Sequence, residues 1–447
     1  MNKARIMRDV GAGAVVLGVA YFLFSQFYVQ APDIGVLGGP IEGLTAQELR
    51  KFYQTRDLFK HEFTPEEGLG PLFNGRSCFE CHGRPGPVGG EGRDVASTGV
   101  VRIGKIRDNA LTRGKAKEEI AVSANLDTVD RMLYQGGPAL ERKSITSEFP
   151  EKYPVSCQVE IGTIPKDADF ISMRHAPPVF GFGLIDAIPD EDINFNMFEQ
   201  IQKNRNLAGH PQAQYDPLAL NSRVARFGWK DQNPNLLIFT AEAMNVEMGL
   251  TTGIFRHPKS AAGISEFPHC ILKYLPAEPN DNGTILGKLT YCQALLAPPK
   301  RGPITAQVLR GEKLFAKLQC AVCHIPEMKT ADQVFLADPD SPAPKVQLVE
   351  VKALENKPVR AYSDFLVHNM GKQLADGIPQ NGANGGEWRT TPLWGLRHKR
   401  FFIHDGRTTD LAEAILLHGG QGSEASDAFN KLPDSDKEDL LAFLRSL

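Results

Sequence analysis

The pentapeptide CAVCH (Cys320 to His324) decides how this chain is read, because an earlier pentapeptide, CFECH (Cys78 to His82), has the same form. On one helical turn, cysteines at i and i+3 can each add through sulfur to a vinyl group of a haem. The histidine at i+4 then faces the iron as proximal ligand, which is the attachment signature of c-type haem. Paired CxxC motifs that bind zinc usually lie close together. Here the first cysteines are 320 − 78 = 242 residues apart, and each pair has its own histidine. A redox dithiol needs neither the trailing histidine nor a twin. The sequence therefore predicts two covalently attached haems on Cys78, Cys81, Cys320 and Cys323, with His82 and His324 on the irons.

The flanks of the two strings repeat as well. GPLFNGRSCFECH has Phe73 five residues before its first cysteine, and GEKLFAKLQCAVCH has Phe315 at the same offset. RHAPPVFGF (Arg174 to Phe182) matches RTTPLWGL (Arg389 to Leu396) in Arg, Pro and Gly. A repeat this long is no solenoid. It predicts a mainly α chain with two cytochrome-c-like haem domains, the first enlarged.

With 447 residues the chain has room for roughly two or three domains. Its apolar and charged fractions, 42% and 23%, are those of an ordinary globular protein, and a net charge of −3 gives no reason to expect nucleic acid as partner. The N-terminus differs. Lys3, Arg5 and Arg8 precede an apolar run from Val10 to Val29, broken only by Ser25 and Gln26. Such a run spans a bilayer as a helix, with its basic flank in the cytoplasm. A cleaved secretory signal is the alternative, but Pro32 follows its only plausible cleavage site, after Ala31. Either reading exports the rest of the chain to a periplasm, where disulfides form. Of the three cysteines outside the attachment strings, Cys270 and Cys292 are expected to pair because they are close in sequence, leaving Cys157.

Residues 1–31 are thus read as anchor or signal, and 32–257 as the N-terminal haem domain, opening with a tether over 32–43. Residues 258–303 read as a Pro/Gly-punctuated connector, and 304–447 as the C-terminal haem domain. Thr45 and Glu48 have capping-box spacing at the head of a predicted helix. GRPGPVGGEGRD (Gly83 to Asp94) is too rich in glycine for helix and must wrap the first cofactor or line its entrance. Between about 98 and 171 the pattern turns strand-like, in GVVRIGKI and CQVEIGTI, and predicts a β-rich insertion. A helical stretch is expected over about 184–249, and a last helix in SDKEDLLAFLRSL with Ser435 as N-cap. In TDLAEAILLHGG, Leu411, Ile415 and His418 share one helix face, and Gly419 suits the C′ position. Alone, His418 reads as a histidine favoured by the helix dipole.

Several longer strings, RHAPPVFGFGLIDAIPD, RFGWK, VEMG, YSDFLVHNMG, EWRTTPLWGL and HDGRTTDLAEAILLHGG, resemble the di-haem oxidoreductase family, relatives of the bacterial di-haem cytochrome c peroxidases. The resemblance runs from about Gly68 to the C-terminus. It implies a C-terminal haem that relays electrons and an N-terminal haem that meets peroxide. His404 matches a turn of the relatives, and 418 − 404 = 14 residues on, the peroxidases carry the methionine that binds the C-terminal iron. The resemblance thus makes His418 the partner of His324 on the second iron, with His368 and Met370 as competitors. Paired imidazoles would lower the potential relative to Met/His ligation.

By the same comparison Trp229 takes the position of a tryptophan between the haems. Leu236 matches a leucine, and Glu247 matches a catalytic glutamate after a gap of two. Phe239 fills the relatives' distal glutamine position and removes a polar group. His175 replaces an asparagine of the relatives' calcium site, so calcium is not carried over. His175 itself reads as a partner to packing at Pro177 or as a distal ligand of the first haem. Without haem, Trp229 would be an ordinary core aromatic and Glu247 a solvated helix residue.

The leading expectation is a periplasmic, membrane-tethered peroxidase. It would take electrons from a small redox protein of cytochrome c or cupredoxin type and reduce hydrogen peroxide at the first haem. A plain di-haem electron-transfer protein and a di-haem oxidase or oxygenase of an organic or protein substrate are the alternatives.

Overall fold

Thr45 starts the first helix as its spacing predicts. In α1 (Ala46–Lys60) the Thr45 side chain accepts from the Glu48 N–H, and the Glu48 carboxylate accepts from the Thr45 N–H. The computed structural model describes residues 37–131, 140–217, 219–258, 267–341 and 347–447. The expected anchor, 1–31, lies outside them. Among the described residues no helix is long and apolar enough to cross a membrane.

After α2 (Cys78–His82), strands β1 (Val100–Ile106), β2 (Val129–Asp130) and β3 (Phe170–Arg174) form a small antiparallel sheet with β1 in the middle. Arg102 lies opposite Ser172 in it. The strand expected at Cys157–Ile164 does not form. No ladder partner reaches it: the Val159 N–H donates to Thr146 Oγ1 at 2.9 Å, and Ile161 and Ile164 stay exposed. The cysteine pairing also differs from expectation. Cys157 bonds to Cys270, with Cα atoms 5.9 Å apart. Closeness in sequence misled, because Cys292 sits in the middle of a helix with no exposed surface, its thiol turned into the core.

Helices α3 (Phe182–Asp186), α4 (Asp190–Asn204) and α5 (Leu236–Met248) occupy the stretch predicted helical, but an antiparallel hairpin interrupts it. Its strands are β4 (Gln212–Asp216) and β5 (Asn221–Ala225). Polar Gln, Ser and Asn alternate through the pair, with little apolar period to reveal it. The stretch 258–303 carries α6 (Thr284–Leu295), whose Leu286, Leu289 and Leu295 join the core formed with α1, α3 and α5.

In the C-terminal part, α7 (Ala306–Lys317) crosses the last helix at Gly311, where a Cβ would lie 1.9 Å from the Asp439 carbonyl oxygen. Only glycine permits that approach. A two-stranded ladder, β6 (Val367–Asn369) with β7 (Glu387–Arg389), lies between. Helix α8 (Leu411–Leu416) is shorter than predicted: Leu417 caps it, and Gly419, with φ −99°, is not the left-handed C′ residue. The last helix, α9 (Asp434–Leu444), begins after Pro433 and not at Ser435, which lies inside its first turn. Proline's fixed φ presets that entry without a side-chain cap.

Candidate functional site

Cys320, Cys323 and His324 follow α7 directly. Gln319, in the left-handed region at φ 64°, ends the helix, and the His324 N–H donates to the Cys320 carbonyl at 2.9 Å across a tight turn. All three residues line a cavity of about 290 Å³, and Leu411, Ala414, Ile415 and His418 of the α8 segment line it too. The predicted common face of Leu411, Ile415 and His418 therefore meets the attachment site, although the helix stops early.

The two histidines are held alike. His324 Nδ1 lies 2.9 Å from the Tyr362 carbonyl oxygen, and His418 Nδ1 lies 2.9 Å from that of Ala414. A carbonyl only accepts, so each Nδ1 carries the proton and each Nε2 keeps a lone pair, as on a metal-ligating imidazole. Burial pushes His324 down to about 4, and the nearby His418 adds to the shift. Burial also lowers His418. Both rings are neutral at neutral pH.

His368 and Met370 line the same cavity but are differently engaged. His368 Nε2 is 2.9 Å from Asp364, and its Nδ1 is 3.8 Å from Cys323 Sγ. Burial works to lower the His368 pKa, but the Asp364 charge outweighs it and holds the imidazole protonated, well above its usual value. A protonated ring has no lone pair for iron. The trio Cys323, Asp364 and His368 reads accordingly as an ion pair behind an attachment cysteine. Met370 lies beside His418, both within reach of a Cβ placed on Gly422.

Four more residues line this cavity that the sequence did not assign to it: Trp388, Arg389, Lys399 and His404. The Trp388 and His404 rings stack at 3.8 Å. Arg389 and Lys399 bring positive charge to a largely apolar space. Arg389 is held by Asp231 at 3.2 Å, so two thiols, two Nε2 lone pairs, apolar walls and the Lys399 ammonium make up the donor set that a haem with its carboxylates requires. The residues fit the group.

The first attachment string forms α2, capped by Ser77, whose hydroxyl accepts from the Glu80 N–H. His82 Nδ1 faces the Gly90 carbonyl at 3.3 Å, so the glycine-rich loop packs behind the proximal ring. At Gly90 a Cβ would lie 1.9 Å from the Arg84 carbonyl oxygen, which excludes any other residue there. Burial pushes the Cys78, Cys81 and Cys320 thiols up to about 12, the opposite of a redox dithiol's acidic thiolate. None of the attachment cysteines forms a disulfide.

Helix α5 is buried except at Phe239, Glu242, Ala243 and Glu247, which recur at i, i+3, i+4 and i+8 and so form one face. Glu247 accepts from Asn74 Nδ2 at 2.8 Å and is close enough for its charge to act on Cys81. Phe239 stacks on Phe227 at 5.7 Å. Trp229 lines the second cavity and donates its indole N–H to the His175 carbonyl at 2.9 Å. The His175 ring is 2% exposed and packs on Phe401 at 5.1 Å. Burial, then Lys399, then His82 push it down to about 4. His175 is two residues from Pro177, whose backbone interacts with His82, so its segment flanks the proximal ring.

A family model described as "Di-haem oxidoreductase, putative peroxidase" matches residues 155–447. Among solved structures, a MauG-like protein associated with microbial copper homeostasis is 14% identical, with 91% of this chain and 92% of that one covered at a TM-score of 0.36. The di-haem peroxidase BthA of Burkholderia thailandensis E264 is 15% identical, covering 76% and 87% at 0.31. Hydrazine synthase of Kuenenia stuttgartiensis is 14% identical, covering 77% and 98% at 0.30. No curated protein matches the chain.

Proposed function

The chain belongs to the di-haem oxidoreductase family, and from that premise we propose that it reduces hydrogen peroxide at its first haem with electrons relayed from the second. Two covalent haems would be held by Cys78, Cys81 and His82 and by Cys320, Cys323 and His324, with His418 as the second ligand of the C-terminal iron. When bound, the haems supply the redox centres and, at the first, a coordination position for peroxide. The observation that carries the reading is the matched pair His324 and His418. Each has Nδ1 fixed on a backbone carbonyl and its Nε2 free, beside one cavity that also holds the two cysteines.

The chain's own residues would do three things. His324 and His418 would both hold the relay iron, which would leave that centre to exchange electrons. Trp229 bridges the cavity of the second site and the His175 segment behind His82, which suits a carrier between the two. Glu247 moves a proton between the peroxide oxygens, the general acid–base work that O–O cleavage needs. The overall reaction consumes two electrons and two protons per peroxide and yields two waters.

A periplasmic site, with residues 1–31 as an inner-membrane tether and a small redox protein as donor, belongs to the same proposal. The Cys157–Cys270 disulfide supports an oxidising compartment.

Peroxide added to the fully reduced protein is expected to reoxidise it rapidly, and Glu247→Gln to slow this by orders of magnitude. Equal, slow rates in the two proteins would remove the peroxidase reading. A resting protein with both irons low-spin and no carbon monoxide binding after reduction would instead make it an electron-transfer protein.

A further inference from the structure

Arg102 is a buried cation without a counter-ion. It is 7% exposed, and its Nε has no hydrogen-bond partner among the described residues. Neither does its guanidinium form an ion pair with any of them. Leaving a charge buried and unpaired is among the costliest arrangements in a fold, so a missing partner is the economical explanation.

The three carboxylates whose charges act on Arg102, Asp376, Glu242 and Glu247, are each engaged elsewhere. Arg102 lies opposite Ser172 on the β1–β3 ladder, and Ser172 donates to Asp376 at 2.9 Å. Arg174, on the same strand as Ser172, takes Asp376 at 2.7 Å, and Lys230 lies 3.3 Å from its other oxygen. Asp376 is therefore saturated by two cations and a hydroxyl. Glu242 and Glu247 of α5 act on Arg102 only at a distance. Asn233 holds Glu242, and Asn74 holds Glu247 at 2.8 Å. Both carboxylates belong to the half-open face of α5, and Glu247 is close enough to the first attachment site for its charge to act on Cys81.

We propose that Arg102 is the receptor for a small anionic ligand at the first site: hydroperoxide in turnover, and fluoride or formate in its absence. The proposal rests on the reading of this site as the peroxide-binding haem. The backbone brings Arg102 toward Glu247: the Leu140 N–H donates to the carbonyl of Val101, next to Arg102, at 2.9 Å, the Arg142 N–H donates to Asn74 Oδ1 at 3.1 Å, and Asn74 holds Glu247. There a guanidinium would supply the polar partner that Phe239 does not, and its planar fork suits two oxygens at once. Binding involves no covalent step by the arginine, which donates hydrogen bonds and charge.

The test uses the resting holoprotein without peroxide or donor, titrated with fluoride and with formate and followed by absorption. Arg102→Gln is expected to raise both dissociation constants about tenfold or more, while carbon monoxide, a neutral ligand, binds the reduced protein as in wild type. Arg102→Lys keeps the charge, loses the fork, and falls between. Equal anion affinities in wild type and Arg102→Gln would overturn the proposal and leave the guanidinium to a carboxylate of the attached haem. If the glutamine variant does not fold, an unchanged affinity in Arg102→Lys overturns it equally. Thermal midpoints with and without formate give a readout that needs no open iron. Wild type should gain stability from formate and Arg102→Gln should not, whether or not the protein turns over peroxide.

Discussion

Trp229 donates its indole N–H to the backbone carbonyl of His175 at 2.9 Å. The His175 N–H in turn donates to the His404 carbonyl at 2.7 Å, and the His404 ring stacks on Trp388 at 3.8 Å. One chain of contacts thus runs from the segment behind His82 to the wall of the second cavity. Trp229, the member that lines the second cavity and holds the His175 segment, touches both ends of it.

Trp229→Phe tests that member. Phenylalanine keeps the packing and loses one hydrogen bond, at a cost of about 1 kcal/mol, so the protein should fold and carry both haems. Transfer between the centres should slow by at least an order of magnitude. Stopped-flow absorption of the second haem, after peroxide is mixed with reduced protein, reads this directly. An unchanged rate would assign the path to Trp388 or to direct contact between the cofactors.

His418→Ala removes one Nε2 from the second cavity and leaves His324 in place on Tyr362. The low-spin bis-imidazole EPR signal should disappear and a high-spin signal replace it. His418→Met should keep the iron six-coordinate and raise its potential, because thioether donates less strongly to ferric iron than imidazole. Spectra identical to wild type in the alanine variant would hand the ligand role to Met370, which lies beside His418.

The features legible in the sequence were local ones. The Thr45–Glu48 capping box and the two attachment turns are set by residues three or four apart, and each forms as read. The common face of Leu411, Ile415 and His418 is also local, and it held even though the helix ends at Leu416. What stayed hidden depends on pairings across the chain. Asp376 draws Arg174 and Lys230 from segments far apart in sequence, and Arg389 and Lys399 reach the second cavity only once β7 and the following turn are in register. In the hairpin 212–225 the polar Gln212 and Asp216 are buried while Ala213 and Tyr215 stay exposed, the reverse of an ordinary half-buried strand, and Cys157 meets Cys270 across 113 residues.

That disulfide closes a long loop, and its removal should cost about 2–5 kcal/mol. A Cys157→Ser, Cys270→Ser double variant should melt well below wild type, and wild type with reductant should follow it. Haem loading at His324 should be unaffected, since the bridge joins only segments on the N-terminal side. Equal melting temperatures with and without reductant would show that the two segments hold together without it.

Asp376 gives the fold an acid limit. Burial alone would raise its carboxyl pKa, but Lys230 and Arg174 outweigh burial and hold it well below the usual carboxylate range. With the folded pKa depressed, the unfolded chain binds the proton first as pH falls. The stabilisation is therefore complete above the unfolded value of about 3.9 and is lost as pH drops from there through the folded value. Asp376→Asn leaves Arg174 and Lys230 facing each other without their anion, and breaking a buried pair in this way costs about 3–5 kcal/mol. The variant should be less stable at neutral pH, with its deficit shrinking steadily below about pH 4. Urea unfolding midpoints of both proteins from neutral to acid pH would trace the two curves, and parallel curves would mean that Asp376 is not ionised in the fold.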